Sequence, residues 1–262
     1  MNRLDQELVT RQLARSRTEA AKLIDAGRVL LNGKATAKAS KKVCTADELA
    51  LVPSEGEEYV SRAGHKLAGA LDVFATIDPA GLRCLDAGAS TGGFTDVLLR
   101  RGAKSVVAAD VGHGQLVDEI RENPRVTVRE GLNVRYLLPE DIGGPVDLVV
   151  SDLSFISLRL VIDALASATK DGGGLLLMVK PQFEVGREHL NRTGVVTDQQ
   201  LRRSAVEAVV ASAHAAGLQL RGLARSPLPG QDGNVEFFLW LAAGGNPQPA
   251  DVPLIGQDVD YS

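Results

Sequence analysis

The sequence predicts an α/β protein in which a seven-stranded, mostly parallel open sheet follows a small, basic α+β unit. Three observations carry this expectation. From about residue 80, short apolar strands alternate with amphipathic helical stretches, as in crossover-linked parallel strands. The last two strands are joined by a Pro- and Gly-rich loop rather than a helix, so they should pair antiparallel, because a parallel pair needs a longer crossover. The first sixty residues instead read as helix, turn, helix and hairpin, and their charge is opposite in sign to that of the rest.

The whole chain holds 29 Lys and Arg against 33 Asp and Glu, a net charge of −4. Taken alone, that balance argues against a nucleic-acid partner. The sum hides two opposed regions. Residues 1–42 hold ten Lys or Arg and four acids, a local charge of +6, which leaves −10 on residues 43–262. The two cysteines, Cys44 and Cys84, are too few and too far apart for a disulfide framework or a Cys-rich zinc site, and each reads as a small buried hydrophobe. His65, His113, His189 and His214 show no ligand spacing, so no metal is expected. The opening MNRLDQELVTRQLARS has no apolar signal region. The longest apolar run, at 174–179, is far short of the ~20 residues a membrane helix needs. These features predict a soluble, cytoplasmic protein with no membrane partner.

In order along the chain, Leu4, Leu8 and Leu13 give a first helix its apolar stripe. Ser16-Arg17-Thr18-Glu19 is a capping box for a second helix through Ala20, Ala21, Leu23 and Ile24, with Gly27 as its stop. Residues 29–31 form a strand entering an Asn32-Gly33 turn. The first strand of the main sheet spans 83–87 and runs into Gly88-Ala89-Ser90-Thr91-Gly92-Gly93, followed by a helix over 94–101. The next strand, 105–109, ends in Asp110, 22 positions beyond Gly88. Further strands are expected at 126–129, 146–150, 175–179, 219–224 and 236–241, with helices at 158–169 and 198–216. The domain boundaries follow as 1–56, a linker at 57–60, a main domain at 61–243 and an unstructured tail from 244, rich in Pro and Asp.

The ordered set Arg3-Leu4-Asp5, Leu13-Ala14-Arg15-Ser16-Arg17, Ala20, Ile24, Gly27, Val29, Asn32-Gly33 and Lys38 resembles the S4 domain, an RNA-binding module. The resemblance implies that Arg3, Arg17, Lys22 and Lys41 face an RNA backbone; the plain alternative is a solvated face of a small helical domain.

Two readings compete for the glycine loop. Gly88-Ala89-Ser90-Thr91-Gly92 fits the G-x-S-x-G nucleophile elbow of hydrolases, but that fold needs several strands before its elbow. The dinucleotide pattern G-x-G-x-x-G is broken by Ser90. A strand ending D-x-G-x-x-x-G-G, with an acid closing the second strand, resembles the S-adenosylmethionine pocket of Rossmann-like methyltransferases. That resemblance implies a cofactor set of Asp86, Gly88, Ser90, Gly92, Gly93, Phe94 and Asp110, joined by Asn133, Asp152 and Phe155. Asp110 would accept from the ribose hydroxyls. Phe155 is either core or a contact on the adenine side, and Asn133 either meets the adenine edge or is an ordinary turn residue.

Four polar residues sit at strand ends or sharp boundaries: Lys66 in SRAGHKL, Asp152 in VVSDLSF, Lys180 in MVKPQFE and Glu236 in GNVEFFLW. In an open α/β sheet ligands bind outside the carboxyl ends of the strands, which places Asp152 and Lys180 there. Glu236 joins them because its strand runs the other way. The Lys, Asp, Lys, Glu set resembles the catalytic tetrad of RNA ribose 2′-O-methyltransferases. Phe237, Phe238 and Trp240 read as sheet core rather than a base-stacking platform.

The blocks SRAGHKL, CLDAGASTGGFTD, DLSFISL, VKPQFE and SPLPGQDGNVEFFLWL, together with the S4-like start, resemble the TlyA family. Its members are often called haemolysins but methylate ribosomal RNA. The resemblance implies S-adenosylmethionine-dependent 2′-O-methylation of ribose, on cytidine, with ribosomal RNA in ribosomal subunits as partner. Lys180 would meet the 2′-hydroxyl, either as base, with Lys66 nearby, or as a charged group that only orients the oxygen. Three other classes stand against this: an RNA-binding protein with a dead methyltransferase fold, a small-molecule methyltransferase, and a pore former. The intact tetrad, the S4-like start and the absence of any membrane-length segment count against each in turn. One departure stands out. Glu57-Glu58-Tyr59-Val60 occupies the place of the Arg-x-Trp-Val linker of mycobacterial members. Arg187-Glu188-His189-Leu190-Asn191-Arg192 is a partly basic loop, either a lid over RNA or a plain surface loop.

Overall fold

The N-terminal elements form around one small apolar cluster. In the computed structural model, which describes residues 2–25, 28–36, 38–51, 59–230, 233–244 and 259–262 without the side chains of Lys22, Asp25 and Ala35, the chain divides into two units, Met1–Glu58 and Tyr59–Ser262. The boundary falls inside the expected linker. The first unit runs β1 (Asn2–Arg3), α1 (Leu4–Thr10), α2 (Arg17–Asp25), β2 (Val29–Leu31), β3 (Lys34–Ala35), β4 (Lys42–Val43) and β5 (Leu49–Leu51). Leu4 and Leu8 of α1 meet Ala20 and Ile24 of α2, together with Val29 and Val43, all essentially without exposed surface. Leu13 lies in the turn after α1 rather than on it. Half of the capping box forms as expected: Glu19 N donates to Ser16 Oγ at 3.2 Å, but the Glu19 carboxylate accepts from Arg15 N at 2.6 Å instead of from Ser16. Gly27 lies outside the described residues. One pairing was not foreseen, β1 with β4, which sets Arg3 opposite Lys42.

The second unit begins with α3 (Arg62–Val73), β6 (Arg83–Ala87), α4 (Gly93–Arg100), β7 (Ser105–Asp110), α5 (Asp118–Arg121), β8 (Val126–Glu130) and β9 (Val146–Ser151). It continues with α6 (Ile162–Ser167), β10 (Thr169–Val179), α7 (Pro181–Glu184), α8 (Gln199–Ala215), β11 (Leu218–Arg225) and β12 (Phe237–Ala243). The seven strands lie in the order β11-β12-β10-β9-β6-β7-β8, with β12 antiparallel to both neighbours and the remaining pairs parallel.

Alternation along β10 shows why the sheet needs helices on both faces. Leu175, Leu177 and Val179 enter the cluster that includes α6 and α8, whereas Leu176 and Met178 enter the one that includes α3 and α4. Each such buried side chain contributes about 1.5–3 kcal/mol, so the strand ends are held on a rigid platform. Two expectations need correction. The strand expected at 175–179 begins at Thr169, because Thr169 already pairs with Val146 and the register then shifts before Gly174. The helix expected over 158–169 is a 3₁₀ turn, Leu158–Leu160, followed by the short α6. Cys84 is buried as expected, while Cys44 is only half-buried. Residues 245–258 of the expected tail lie outside the described residues, yet the final residues are docked. The Tyr261 ring lies 5.0 Å from Phe237, Arg202 Nη1 donates to Tyr261 O at 2.6 Å, and Arg225 pairs with Asp260. Among the described residues, no helix is long and apolar enough to cross a membrane.

Candidate active site

Strand register brings the polar strand-end residues to one edge of the sheet. Val179, the last residue of β10, pairs with Phe237, the first of β12, so Lys180 and Glu236 follow as the next opposed positions. Asp152 leaves the end of the neighbouring β9, where its N–H donates to Ala87 O at 3.3 Å. Lys66 arrives from α3. Its Nζ donates to Glu236 Oε2 at 2.6 Å, with both side chains almost wholly out of solvent. Lys180 Nζ lies 2.6 Å from Asp152 Oδ1 and donates to Ser154 Oγ at 2.8 Å. The four residues thus form two compensated ion pairs. Low exposure makes the pairing matter, because a buried charge left alone costs several kcal/mol.

Glu236 is also braced through its chain. Its carbonyl accepts from Ser226 N at 2.8 Å. Two residues earlier, the buried Asn234 accepts from Val196 N at 3.0 Å and donates to Gly194 O at 3.1 Å. The partly basic 187–192 segment ends in a turn in which Asn191 Oδ1 accepts from the N–H groups of Thr193 and Val195.

The glycine loop is shaped by backbone conformations that side chains disfavour. Gly88 has φ +91°, and a Cβ there would come within 3.1 Å of Asp152 O. Gly92 has φ +97° as the N-cap of α4, with a Cβ position 3.0 Å from Leu116. Gly93 opens α4 itself. Asp110 ties the loop to the next turn: Oδ2 accepts from Ser90 N and Oδ1 from Gly112 N, both at 2.8 Å. Each carboxylate oxygen keeps a second lone pair for a hydroxyl. Ser90 Oγ donates to Gln115 Oε1 at 3.3 Å, so its partner is an amide rather than the histidine a hydrolytic nucleophile requires.

Asp86 is the most perturbed group of the site. It has no exposed surface, and burial, reinforced by the Asp152 and Asp110 charges, pushes its pKa up to about 7 against the Thr95 hydrogen bond. Thr95 Oγ1 donates to Oδ2 at 2.7 Å, while Oδ1 is buried without a hydrogen-bond partner among the described residues. Ser61 Oγ, Ser151 Oγ and Gln182 Oε1 are in the same condition. Unpartnered buried acceptors and a glycine-lined approach fit a ligand that brings its own donors and positive charge.

The remaining expected residues divide. Phe94 is a core residue rather than an open pocket wall: it is 2% exposed, with its ring stacked on Phe238 at 6.2 Å. Phe237 and Phe238 are core as expected. Asn133 is exposed and caps the 3₁₀ turn Val134–Tyr136 by accepting from Arg135 N at 3.1 Å. Phe155 is not core; it is 91% exposed, has φ +64°, and lies 5.3 Å from the Phe183 ring. In the first unit, Arg3 and Arg17 converge on the buried Asp5, each at 3.0 Å, and Lys41 is exposed beside β4. Arg3, then Arg17, holds the Asp5 pKa down at about 2. The Lys22 side chain lies outside the described residues. In the linker, Glu57 and Glu58 also lie outside them, while Tyr59 meets His65 edge-on at 5.0 Å and Val60 N donates to Asp96 Oδ2 at 2.9 Å. Sequence reasoning passed over Ser154, Gln115, Thr95, Asn234 and Glu184. Thr95, Ser154, Glu184 and Asn234 lay inside quoted blocks, but nothing in their spacing says which polar atom they meet.

The S4 domain family matches residues 2–49, and the FtsJ-like methyltransferase family matches residues 59–243. A 16S/23S rRNA (cytidine-2′-O)-methyltransferase, TlyA of Mycobacterium tuberculosis, is 54% identical over 239 residues, 91% of this chain and 89% of the relative. A 23S rRNA (cytidine-2′-O)-methyltransferase TlyA of Campylobacter jejuni is 33% identical over 253 residues, 88% of this chain and 96% of the relative. A solved Streptococcus thermophilus structure, described as a candidate hemolysin, superimposes with a TM-score of 0.76 at 40% identity, covering 96% of this chain and 92% of that one. The chain belongs to the TlyA family, in which an S4 domain precedes an FtsJ-like methyltransferase domain.

Proposed function

We propose that this protein is an S-adenosylmethionine-dependent methyltransferase that modifies the 2′-oxygen of cytidine ribose in ribosomal RNA, acting on ribosomal subunits in the cytoplasm. The observation that carries the reading is the pair of buried ion pairs at the carboxyl edge of the sheet, beside a glycine loop that follows the strand bearing the unpartnered Asp86 Oδ1. Bound S-adenosylmethionine would supply an electrophilic methyl carbon on a sulfonium. Gly88, Ser90, Gly92 and Gly93 would hold its amino-acid end, Asp86 its positive charge, and Asp110 its ribose hydroxyls. Phe155 offers an open aromatic face to a ring near the centre, and Asn133 lies beyond the third strand for the adenine edge.

Methyl transfer from the bound cofactor would require the ribose 2′-oxygen to be oriented and relieved of its proton. Lys180 Nζ is the contact for that oxygen. The proton would end on the Asp152 carboxylate, relayed through Lys180, which starts and ends the step as an ammonium. Lys66 and Glu236 bound the same centre and keep its net charge near neutral. Placing oxygen, carbon and sulfur in line supplies much of the acceleration. Arg3, Arg17, Lys22 and Lys41 supply phosphate contacts that position RNA without reading its sequence.

The test incubates the protein and methyl-labelled cofactor with ribosomal subunits that lack ribose methylation. Label is expected in RNA, on a cytidine whose 3′ linkage becomes resistant to alkali. Label in a base or in protein overturns the reading.

A further inference from the structure

The segment after β9 carries three groups of the proposed centre within four residues: Asp152, Ser154 and Phe155. It is also strained. A non-glycine residue at φ +64° with an almost fully exposed ring persists only where its surroundings over-determine it, at a cost of order 1–3 kcal/mol. The residue that supplies this hold is Glu184, the last of α7. Its side chain is 1% exposed. The carboxylate accepts from Ser157 Oγ at 2.5 Å, from Leu158 N at 2.7 Å and from Arg159 Nε at 3.2 Å. Its carbonyl accepts from Arg159 Nη2 at 3.2 Å. Every one of these donors lies on residues 157–159, directly after the strained stretch.

Glu184 stands four residues beyond Lys180, the N-cap of α7. The two elements therefore close a bracket. Lys180 holds Asp152 and Ser154 at one end, Glu184 holds 157–159 at the other, and the Phe183 ring meets Phe155 between them. We propose that Glu184 is a positioning residue for methyl transfer: it clamps the 152–159 segment onto the end of β10, and so sets where the acceptors of Lys180 and the Phe155 ring sit. It touches no reacting atom. The inference rests on the reading that Lys180 and Asp152 serve the ribose hydroxyl. Without the carboxylate, Ser157 Oγ and Leu158 N lose their acceptor, Arg159 keeps only the Glu184 carbonyl and Ser157 Oγ, and the segment relaxes. A misplacement of about 1 Å in such a centre costs on the order of 10²-fold in rate.

The experiment compares Glu184→Ala, Glu184→Gln, Ser157→Ala and Lys180→Ala in the full chain. It measures kcat and KM on unmethylated ribosomal subunits and cofactor Kd by calorimetry. Glu184→Ala should lower kcat by about 10²-fold with KM and cofactor Kd within about twofold. Glu184→Gln, which keeps an oxygen for the Leu158 N–H, should recover about tenfold of that loss. An unchanged kcat in Glu184→Ala, a parallel collapse of cofactor binding, or a Gln variant no better than Ala overturns the proposal. If the alanine variant does not fold, Ser157→Ala decides, with a severalfold loss in kcat at unchanged cofactor Kd supporting the clamp and wild-type kcat overturning it. Lys180→Ala separates the two readings: full activity there removes the proposed centre itself, whereas its loss beside an active Glu184→Ala removes only the clamp.

Discussion

The two units hold their cations in opposite ways. In the first, Arg3 and Arg17 share a single carboxylate, Asp5, and keep 37% and 58% of their side chains exposed. In the second, Lys66 and Lys180 each have a carboxylate of their own, at 2.6 Å, and are about 10% exposed. Two partly exposed arginines on one shared, buried carboxylate leave net positive charge over and aim it outward, which suits salt-sensitive attraction to phosphate. A private carboxylate in a dry setting leaves no net charge but fixes a nitrogen to within hydrogen-bond accuracy, which suits chemistry at one atom. Asp86 is the exception in the second unit, a buried carboxylate paired with a hydroxyl and no cation.

The largest expected effect comes from removing one half of a buried pair. Glu236→Leu leaves Lys66 uncompensated and should lower unfolding free energy by about 3–5 kcal/mol, read by urea denaturation. The double substitution Lys66→Met with Glu236→Leu should restore most of that stability while methyl transfer stays lost. A single variant as stable as the parent would mean that the pair is solvated like the arginines of the first unit.

Asp86 sharpens the contrast through pH. Its folded pKa, about 7, lies above the ordinary 3.8, so between these values the folded state keeps a proton that the unfolded chain has released. Stability should therefore fall as pH rises from about 4 through about 7, and Asp86→Asn should flatten that slope. A pH dependence identical in both proteins would assign the slope to other groups.

The smallest effects belong to the exposed face. Arg17→Ala should change stability by less than about 1 kcal/mol, yet reduce the salt slope of subunit binding by about one. Asp5→Asn removes no cation, so it should weaken binding by loosening both arginines while leaving the salt slope unchanged. If Asp5→Asn left affinity intact, the shared carboxylate would have no part in aiming them.

Local pattern was enough for much of this protein. Strand periodicity placed β6, β7 and β9 within a residue or two, because side chains alternating between two apolar layers impose a spacing visible in any single segment. The glycine loop was legible because only certain backbone conformations turn a strand so tightly into a helix, and Lys66, Asp152, Lys180 and Glu236 stood out as polar residues beside apolar runs. What each polar atom meets was not legible. Lys66 and Glu236 are 170 positions apart, and their contact depends on how α3 lies against the end of β12. Phe94, the second residue of α4, and Phe155, four residues past β9, were both expected beside the cofactor, yet one is in the core and the other is open to solvent. Glu184 looks like any acid on a short helix until the fold brings residues 157–159 across it. Sequence alone determined most strands of the main sheet, the glycine loop and the uneven charge along the chain, since those follow from local composition and period. Tertiary structure decided the partners, because hydrogen bonds and ion pairs are made across strand register and helix packing that no local window contains.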